Sequence, residues 1–182
     1  MISIIITGAD LKIYFADVGQ GDGSVIITPS GKTIVIDCNY DHHSTITDIL
    51  SSEGYNDTID YMIATHYHRD HLGGLDDVIN SGYDVVEACF ERGGSYGSWA
   101  YSDYVSAAGS TTGGRVVPTL GSTINFGDGV TMTFATRNGK VFKSGAQITT
   151  DNENELSLSV LIEYKTFDIF FGGDLGKPME TY

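Results

Sequence analysis

Cysteine is scarce in this chain. Its two copies, Cys38 and Cys89, cannot build a disulfide framework, neither stands in a CxxC pair, and a bridge between them is not expected. Positive charge is scarce as well: Lys plus Arg total 10 against 24 Asp plus Glu, a net charge of −14. So acidic a surface repels phosphate backbones, and binding a nucleic acid would need a local positive source, a part that bound divalent cations can fill. No apolar run approaches the ~20 residues that span a bilayer, so no membrane span is expected. The opening Met1-Ile2-Ser3-Ile4-Ile5-Ile6 lacks a basic leading region, and its apolar run is too short for a secretory leader. No repeat with a period of about 20 to 50 residues is visible, and no interdomain linker.

What the chain has is a foldable core. At 182 residues, 41% hydrophobic and 11% aromatic, it is sized for one domain over residues 1–182 and too short for two large ones. Residues 11–18, 24–28 and 33–37 read as strands joined by turns at 19–23 and 29–32. A helix is expected from an N-cap at Ser44 to about Ser52, closed by Gly54. An apolar strand over 59–64 follows. Leu72, Leu75, Val78 and Ile79 then recur at helical spacing up to Gly82, and 85–90 reads as the next strand. Residues 91–114, rich in Gly, Ser and Tyr, read as a loop around a short helix at 98–108, where Tyr101, Tyr104, Val105 and Ala108 share a face. The remainder reads as β structure: 116–120, 130–135, 156–164 and 167–171, with a tight turn at Gly127-Asp128-Gly129. Antiparallel strands, then alternating helices and strands, predict a mixed α/β layered domain.

Two nucleotide-binding motifs are tempting and both fail. Gly19-Gln20-Gly21-Asp22-Gly23 continues with Ser24 where a dinucleotide fingerprint needs glycine, and into a strand where it needs a helix. Gly31-Lys32-Thr33 has Ile26 where a phosphate loop needs its first glycine. Both are hairpin turns.

The chemistry concentrates in Thr65-His66-Tyr67-His68-Arg69-Asp70-His71-Leu72-Gly73-Gly74, which holds three of the five histidines. In extended chain, residues two apart point the same way, so His66 and His68 can address one ion. Asp70 and His71, where the chain turns toward a helix, can address a second ion beside it. Imidazole with carboxylate suits Zn²⁺, with Mn²⁺ or Fe as lesser occupants. A polar loop of exposed histidines is the plain alternative; four ligand-type residues in six, directly after a buried strand, weigh against it. Asp174 follows the strand at 167–171 and two glycines that let the backbone crowd close. His42 and His43, in a polar loop, read as exposed rather than as ligands.

HxHxDH after an apolar strand resembles the signature of metallo-β-lactamase-fold hydrolases, and Asp37, ending Ile34-Val35-Ile36-Asp37, matches that superfamily's earlier Asp motif. Asp17-Val18-Gly19-Gln20-Gly21-Asp22 and Asn154-Glu155-Leu156-Ser157-Leu158 are similar to the branch of DNA-uptake competence proteins and bacterial surface phosphodiesterases. The resemblance runs from about Leu11 to Asp174. It implies an αβ/βα layered sandwich of which the N-terminal half to two-thirds is present. It further implies that His66 and His68 bind the first of two zinc ions, Asp70 and His71 the second, and that Asp174 bridges them. Asp37 is expected to fix the His loop from behind, and Asp70 to hold the attacking water as well.

Two departures from that pattern stand out. Many members supply a further His before the bridging Asp, and no His follows His71 here. A polar residue often fills that position in this branch, so Asp151, Asn152 or Asn154 is expected near the first metal or its water. The superfamily's last His lies beyond the bridging Asp, whereas this chain ends at Tyr182. A fragment of a longer enzyme and a half-fold completed by dimerisation are the two expectations, and both expose apolar faces that favour self-association. The implied reaction is hydrolysis of a small phosphodiester or a short nucleic-acid end by a metal-activated water. Another ester, thioester, lactone or β-lactam substrate, and a non-catalytic metal-binding domain, stay as alternatives. Bacterial cytoplasm, or secretion to the cell surface with a leader removed, are left open as compartments.

Overall fold

The computed structural model describes residues 10–177, so the readings of the opening six residues and of the close at 178–182 lie outside the described range. β2 (Gly23–Ile27) and β3 (Thr33–Cys38) are buried along their whole length, which suits their β-branched runs. With β1 (Lys12–Phe15) they form an antiparallel start to the sheet. β4 (Thr58–Ala64), β5 (Asp84–Glu91) and the short β6 (Arg115–Val116) then add in parallel, making a six-stranded sheet in chain order. Each parallel step needs a crossover. α1 (His43–Ser52) supplies the first, α2 (Arg69–Leu72) and α3 (Leu75–Asn80) the second, and α4 (Trp99–Ser110) the third. A second, antiparallel sheet is built from β7 (Thr123–Asn125), β8 (Val130–Arg137), β9 (Lys140–Val141), β10 (Ser159–Tyr164) and β11 (Phe167–Phe171).

Side-chain alternation on the first sheet splits the core in two. Val35 of β3 packs with Ile46, Leu50, Leu75 and Tyr104 of the helices. Its neighbours Ile34 and Ile36 pack with Met132, Phe134, Val160 and Ile162 of the second sheet. The layers are therefore helices, sheet and sheet, a mixed α/β layered sandwich. Among the described residues no helix covers the outer face of the second sheet. Thr133, Ala135, Leu161, Phe142 and Phe170 line an open groove there of about 640 Å³.

Several boundaries differ from the sequence reading, each for a local reason. The strand expected at 116–120 is only Arg115–Val116, because Pro118 has no N–H to continue a ladder. The strand expected from 156 begins at Ser159; Glu153–Leu156 is a 3₁₀ turn capped by Asn152, whose side chain accepts the Asn154 N–H. The single helix expected after the His cluster is two, broken at Gly73-Gly74. A side chain at Gly74 would lie 2.5 Å from the Asn39 carbonyl oxygen and 2.7 Å from Cys38 Sγ, so only glycine lets this turn press on β3. α1 starts after His42, which makes no side-chain capping bond, rather than at Ser44, and α4 runs through Gly109 to Ser110. Cys38 and Cys89 are buried and unbridged.

One carboxylate sits badly in this packing. Asp76, in the first turn of α3, is 8% exposed and its Oδ1 has no hydrogen-bond partner; burial, with Asp77 beside it, pushes its carboxyl up to about 6. A raised carboxyl pKa favours the folded state fully below about pH 4 and no longer above about pH 6. Asp76→Asn is therefore expected to leave urea stability unchanged near pH 4 and to raise it by about 1–2 kcal/mol near pH 7.5. Equal effects at the two pH values would contradict this.

Candidate metal centre

The C-terminal ends of the parallel strands β3 and β4 lie side by side, at the edge where such sheets place ligand sites. Asp37 is the extra residue of a β-bulge there. Gly23 pairs with Cys38 and Ser24 with Ile36, which leaves Asp37 unpaired in the left-handed region at φ +56°. The bulge aims its carboxylate at the His loop. Oδ1 accepts the Thr65 N–H at 2.8 Å, while Oδ2 accepts the Thr65 hydroxyl at 2.6 Å and His71 Nδ1 at 2.9 Å. Because a carboxylate only accepts, His71 Nδ1 carries a proton, and Nε2 is the ring nitrogen left to face an ion once its own proton is displaced.

That Nε2 is buried and has no hydrogen-bond partner; Asp174 Oδ1, at 3.2 Å, is not aligned for one. His66 is buried, and its Nε2 lies 3.1 Å from His68 Nδ1. Two trios result, His66 with His68 and Asp174, and Asp22 with His71 and Asp174, each with its ligand atoms within 4.8 Å of one another. Asp174 belongs to both. It is brought in by Gly173, at φ +56°, where a Cβ would lie 2.6 Å from Thr65 Oγ1.

These residues fit a pair of metal ions. Imidazole and carboxylate together suit zinc, and ligand separations of 3.1 and 3.2 Å approach the edge, about 3.3 Å, of a tetrahedron with zinc–ligand bonds of about 2.0–2.1 Å. Burial and the neighbouring His71 hold the His66 pKa down to about 3, so its ring is neutral with a lone pair to give. Burial also opposes a charge on His71, but the hydrogen bond and charge of Asp37, helped by Asp174 and Asp22, outweigh it and lift this ring to about 9. An ion entering there displaces a proton.

The sequence-predicted residues are not all gathered in the trios. His66, His68, His71 and Asp174 converge, and Asp37 stands behind His71. Asp70 belongs to neither trio; Oδ2 accepts from Gln20 Nε2 at 2.9 Å. Burial works against its charge, yet the Gln20 bond and the His71 and His66 rings keep its carboxyl below the usual range. Asp22, read from sequence as a turn residue, occupies the second trio. Its N–H donates to the Asp70 carbonyl at 3.2 Å, and a Cβ at the preceding Gly21 would lie 1.9 Å from that same oxygen. Burial and Asp37 push the Asp22 carboxyl up. The sequence signal for Asp22 was an acidic residue held between two glycines.

The architecture has counterparts among known proteins. A family model described as the metallo-beta-lactamase superfamily matches residues 16–178. The chain belongs to the metallo-β-lactamase superfamily. Most of that superfamily consists of metal-dependent hydrolases. The metallo-β-lactamase-fold protein YhfI from Bacillus subtilis is similar with a TM-score of 0.55 and 12% identity, over 90% of this chain and 63% of that one. Metallo-β-lactamase SMB-1, solved with 2-mercaptoethanesulfonate, gives 0.55 and 13% over 87% and 60%; a β-lactamase from Chitinophaga pinensis gives 0.52 and 18% over 87% and 58%. At these identities the likeness concerns the fold. The chain spans about 60% of the length of these relatives. No curated protein matches it.

The metallo-β-lactamase-type His loop is also held by the 3₁₀ turn that precedes β10. Glu153 Oε1 accepts the N–H of Tyr67, the residue between His66 and His68, at 2.8 Å. Arg92 grips the same carboxylate through Nε at 2.7 Å and Nη2 at 2.6 Å, and its guanidinium lies 4.0 Å from the Tyr67 ring centroid. Of the segment expected near the first metal, Glu153 is thus the residue that touches the loop. Asp151 and Asn152 are exposed, and Asn154 has a buried Oδ1 without a hydrogen-bond partner. His43 stands 3.8 Å from Asp77, and neither it nor His42 enters a trio.

Both members of the Arg92–Glu153 pair are buried. Arg92→Ala leaves the carboxylate buried without its cation and is expected to lower urea stability by about 3–5 kcal/mol. Lys32→Ala, from an ion pair whose lysine is 40% exposed, is expected to lower it by only about 0–1 kcal/mol. Comparable losses would refute the ranking.

Proposed function

We propose that this chain carries the metal centre of a dinuclear zinc hydrolase acting on phosphodiesters. One observation carries the reading: two ligand trios share Asp174, and the His71 Nε2 facing one of them is buried without a hydrogen-bond partner. Superfamily membership supports a metal-dependent hydrolase, and the branch resemblance around Asp17–Asp22 supports the phosphodiester. Zinc, when bound, supplies a water acid enough to ionise near pH 7 and positive charge for oxygens that gain negative charge.

The protein's own groups divide the remaining tasks. His66, His68 and Asp174 would hold one ion; His71 and Asp174, joined by Asp22 and Asp70, would hold the other. Asp37 keeps His71 in the tautomer whose Nε2 faces inward. Asp70, ionised and oriented by Gln20, holds the attacking water and accepts its proton. The net charge of −14 disfavours a long polyanion, so the substrate is a small phosphodiester or a short nucleic-acid end. The half-exposed Phe142 and Phe170 on the second sheet support self-association at that groove. A non-catalytic metal-binding domain is the second reading, favoured by the absence of any His between His71 and Asp174, which leaves the first trio with two imidazoles.

Zinc-loaded full-length protein is expected to hydrolyse bis-p-nitrophenyl phosphate, and His68→Ala to lower kcat/KM by about 100-fold or more. Phosphodiesterase function is lost as a reading if the zinc-loaded protein cleaves neither this diester nor short DNA and His68→Ala alters stability alone.

A further inference from the structure

Arg69 lies between His68 and Asp70 in the metal loop, exposed to solvent. Arg92 and Arg115 are each gripped by a glutamate, but the Arg69 guanidinium makes no ion pair and no hydrogen bond among the described residues. It rests 5.6 Å from the centroid of the Tyr40 ring, and the Tyr40 N–H donates to the Arg69 carbonyl at 3.2 Å. Tyr40 in turn meets Trp99 edge to face at 5.2 Å. Trp99, the first residue of α4, is 52% exposed. On the other flank, the Tyr96 ring stands 5.8 Å from the His68 ring. An unpaired cation and a run of aromatic faces therefore begin at a candidate metal ligand and continue outward.

Such a strip matches one kind of ligand. A guanidinium recognises phosphate oxygens, and an exposed indole beside a tyrosine offers a face on which a planar base stacks. On a chain with net charge −14, a single arginine without an ion pair beside the centre suits the end of a short substrate rather than a long strand. Ordinary surface packing explains the Tyr40–Trp99 contact, but among the described residues it leaves the arginine without an ion pair or hydrogen bond and the tryptophan half exposed.

We propose that Arg69, Tyr40 and Trp99 form a nucleotide subsite next to the metal centre, with Arg69 on a phosphate and Trp99 and Tyr40 stacking the base. The assignment rests on the phosphodiesterase reading, and it narrows the substrate to diesters that carry a nucleobase.

Trp99 is the chain's one tryptophan, so its fluorescence reports on this subsite directly. Titration of the zinc-loaded full-length protein with adenosine 5′-monophosphate is expected to quench it saturably, whereas ribose 5-phosphate is expected to leave it unchanged. By calorimetry, Arg69→Ala should weaken the nucleotide about tenfold while leaving the weaker binding of adenosine unaltered, Trp99→Ala should weaken both, and Trp99→Phe should retain most of the affinity. No quenching by the nucleotide, equal quenching by ribose 5-phosphate, or unchanged affinity in both alanine variants overturns the proposal. Hydrolysis of bis-p-nitrophenyl phosphate is read in parallel. Turnover without nucleotide quenching removes the subsite alone, whereas quenching without turnover of any diester keeps the subsite and removes the enzyme.

Discussion

The buried carboxylate of Asp37 ties β3 to the end of β4 and to the ring of His71, and the geometry of the centre follows from this three-way contact. A buried charge is tolerated only where its desolvation is offset, and here three donors offset it. The position is made by a bulge: with regular pairing Asp37 would continue the alternation of β3 and point into the helix-side core. Its left-handed φ of +56° costs about 1 kcal/mol and converts a core position into a site position.

The His loop is anchored from two sides, which suits the proposed centre for two ions. The first sheet contributes Asp37. From the segment just before β10 come the Glu153 carboxylate on the Tyr67 N–H and the Leu158 N–H, which donates to the Thr65 carbonyl at 2.7 Å. The surrounding charge is lopsided. Asp22, Asp37, Asp70 and Asp174 face three imidazoles; burial and then the Asp37 charge raise the Asp22 carboxyl, and against burial the hydrogen bond and charge of Asp37 raise the His71 ring. Cations relieve the repulsion among these carboxylates, so ion binding and folding stability are coupled.

Much of this was legible in the sequence. β-Branched runs marked the buried strands, and the His cluster after an apolar strand marked the candidate metal centre, because strand alternation alone puts His66 and His68 on one side. Asp174 was legible chiefly through the family resemblance, since paired glycines before a lone Asp more often mark a turn. The rest depended on contacts distant in sequence. Nothing local in Gly19–Gly23 says that the β1–β2 turn folds against Asp70 and carries Asp22 into a trio. Likewise Glu153 is one acidic residue among several, and only the fold shows that it, rather than Asp151 or Asn154, finds a buried arginine and the loop backbone. Leu156 read as the start of a strand because it opens the run 156–164, whereas it closes the 3₁₀ turn Glu153–Leu156 that Asn152 caps through its side chain.

The central claim is that Asp37 sets the His71 tautomer and so opens one of two metal positions. Zinc titration calorimetry of the full-length protein against its Asp37→Asn variant tests this most directly. An asparagine of equal shape can turn its amide N–H toward Nδ1, which drives the ring proton onto Nε2. The account predicts two zinc ions for the natural protein and, in the variant, one ion retained and the other weakened by about 10- to 100-fold. Two ions bound with unchanged affinity in Asp37→Asn would contradict it.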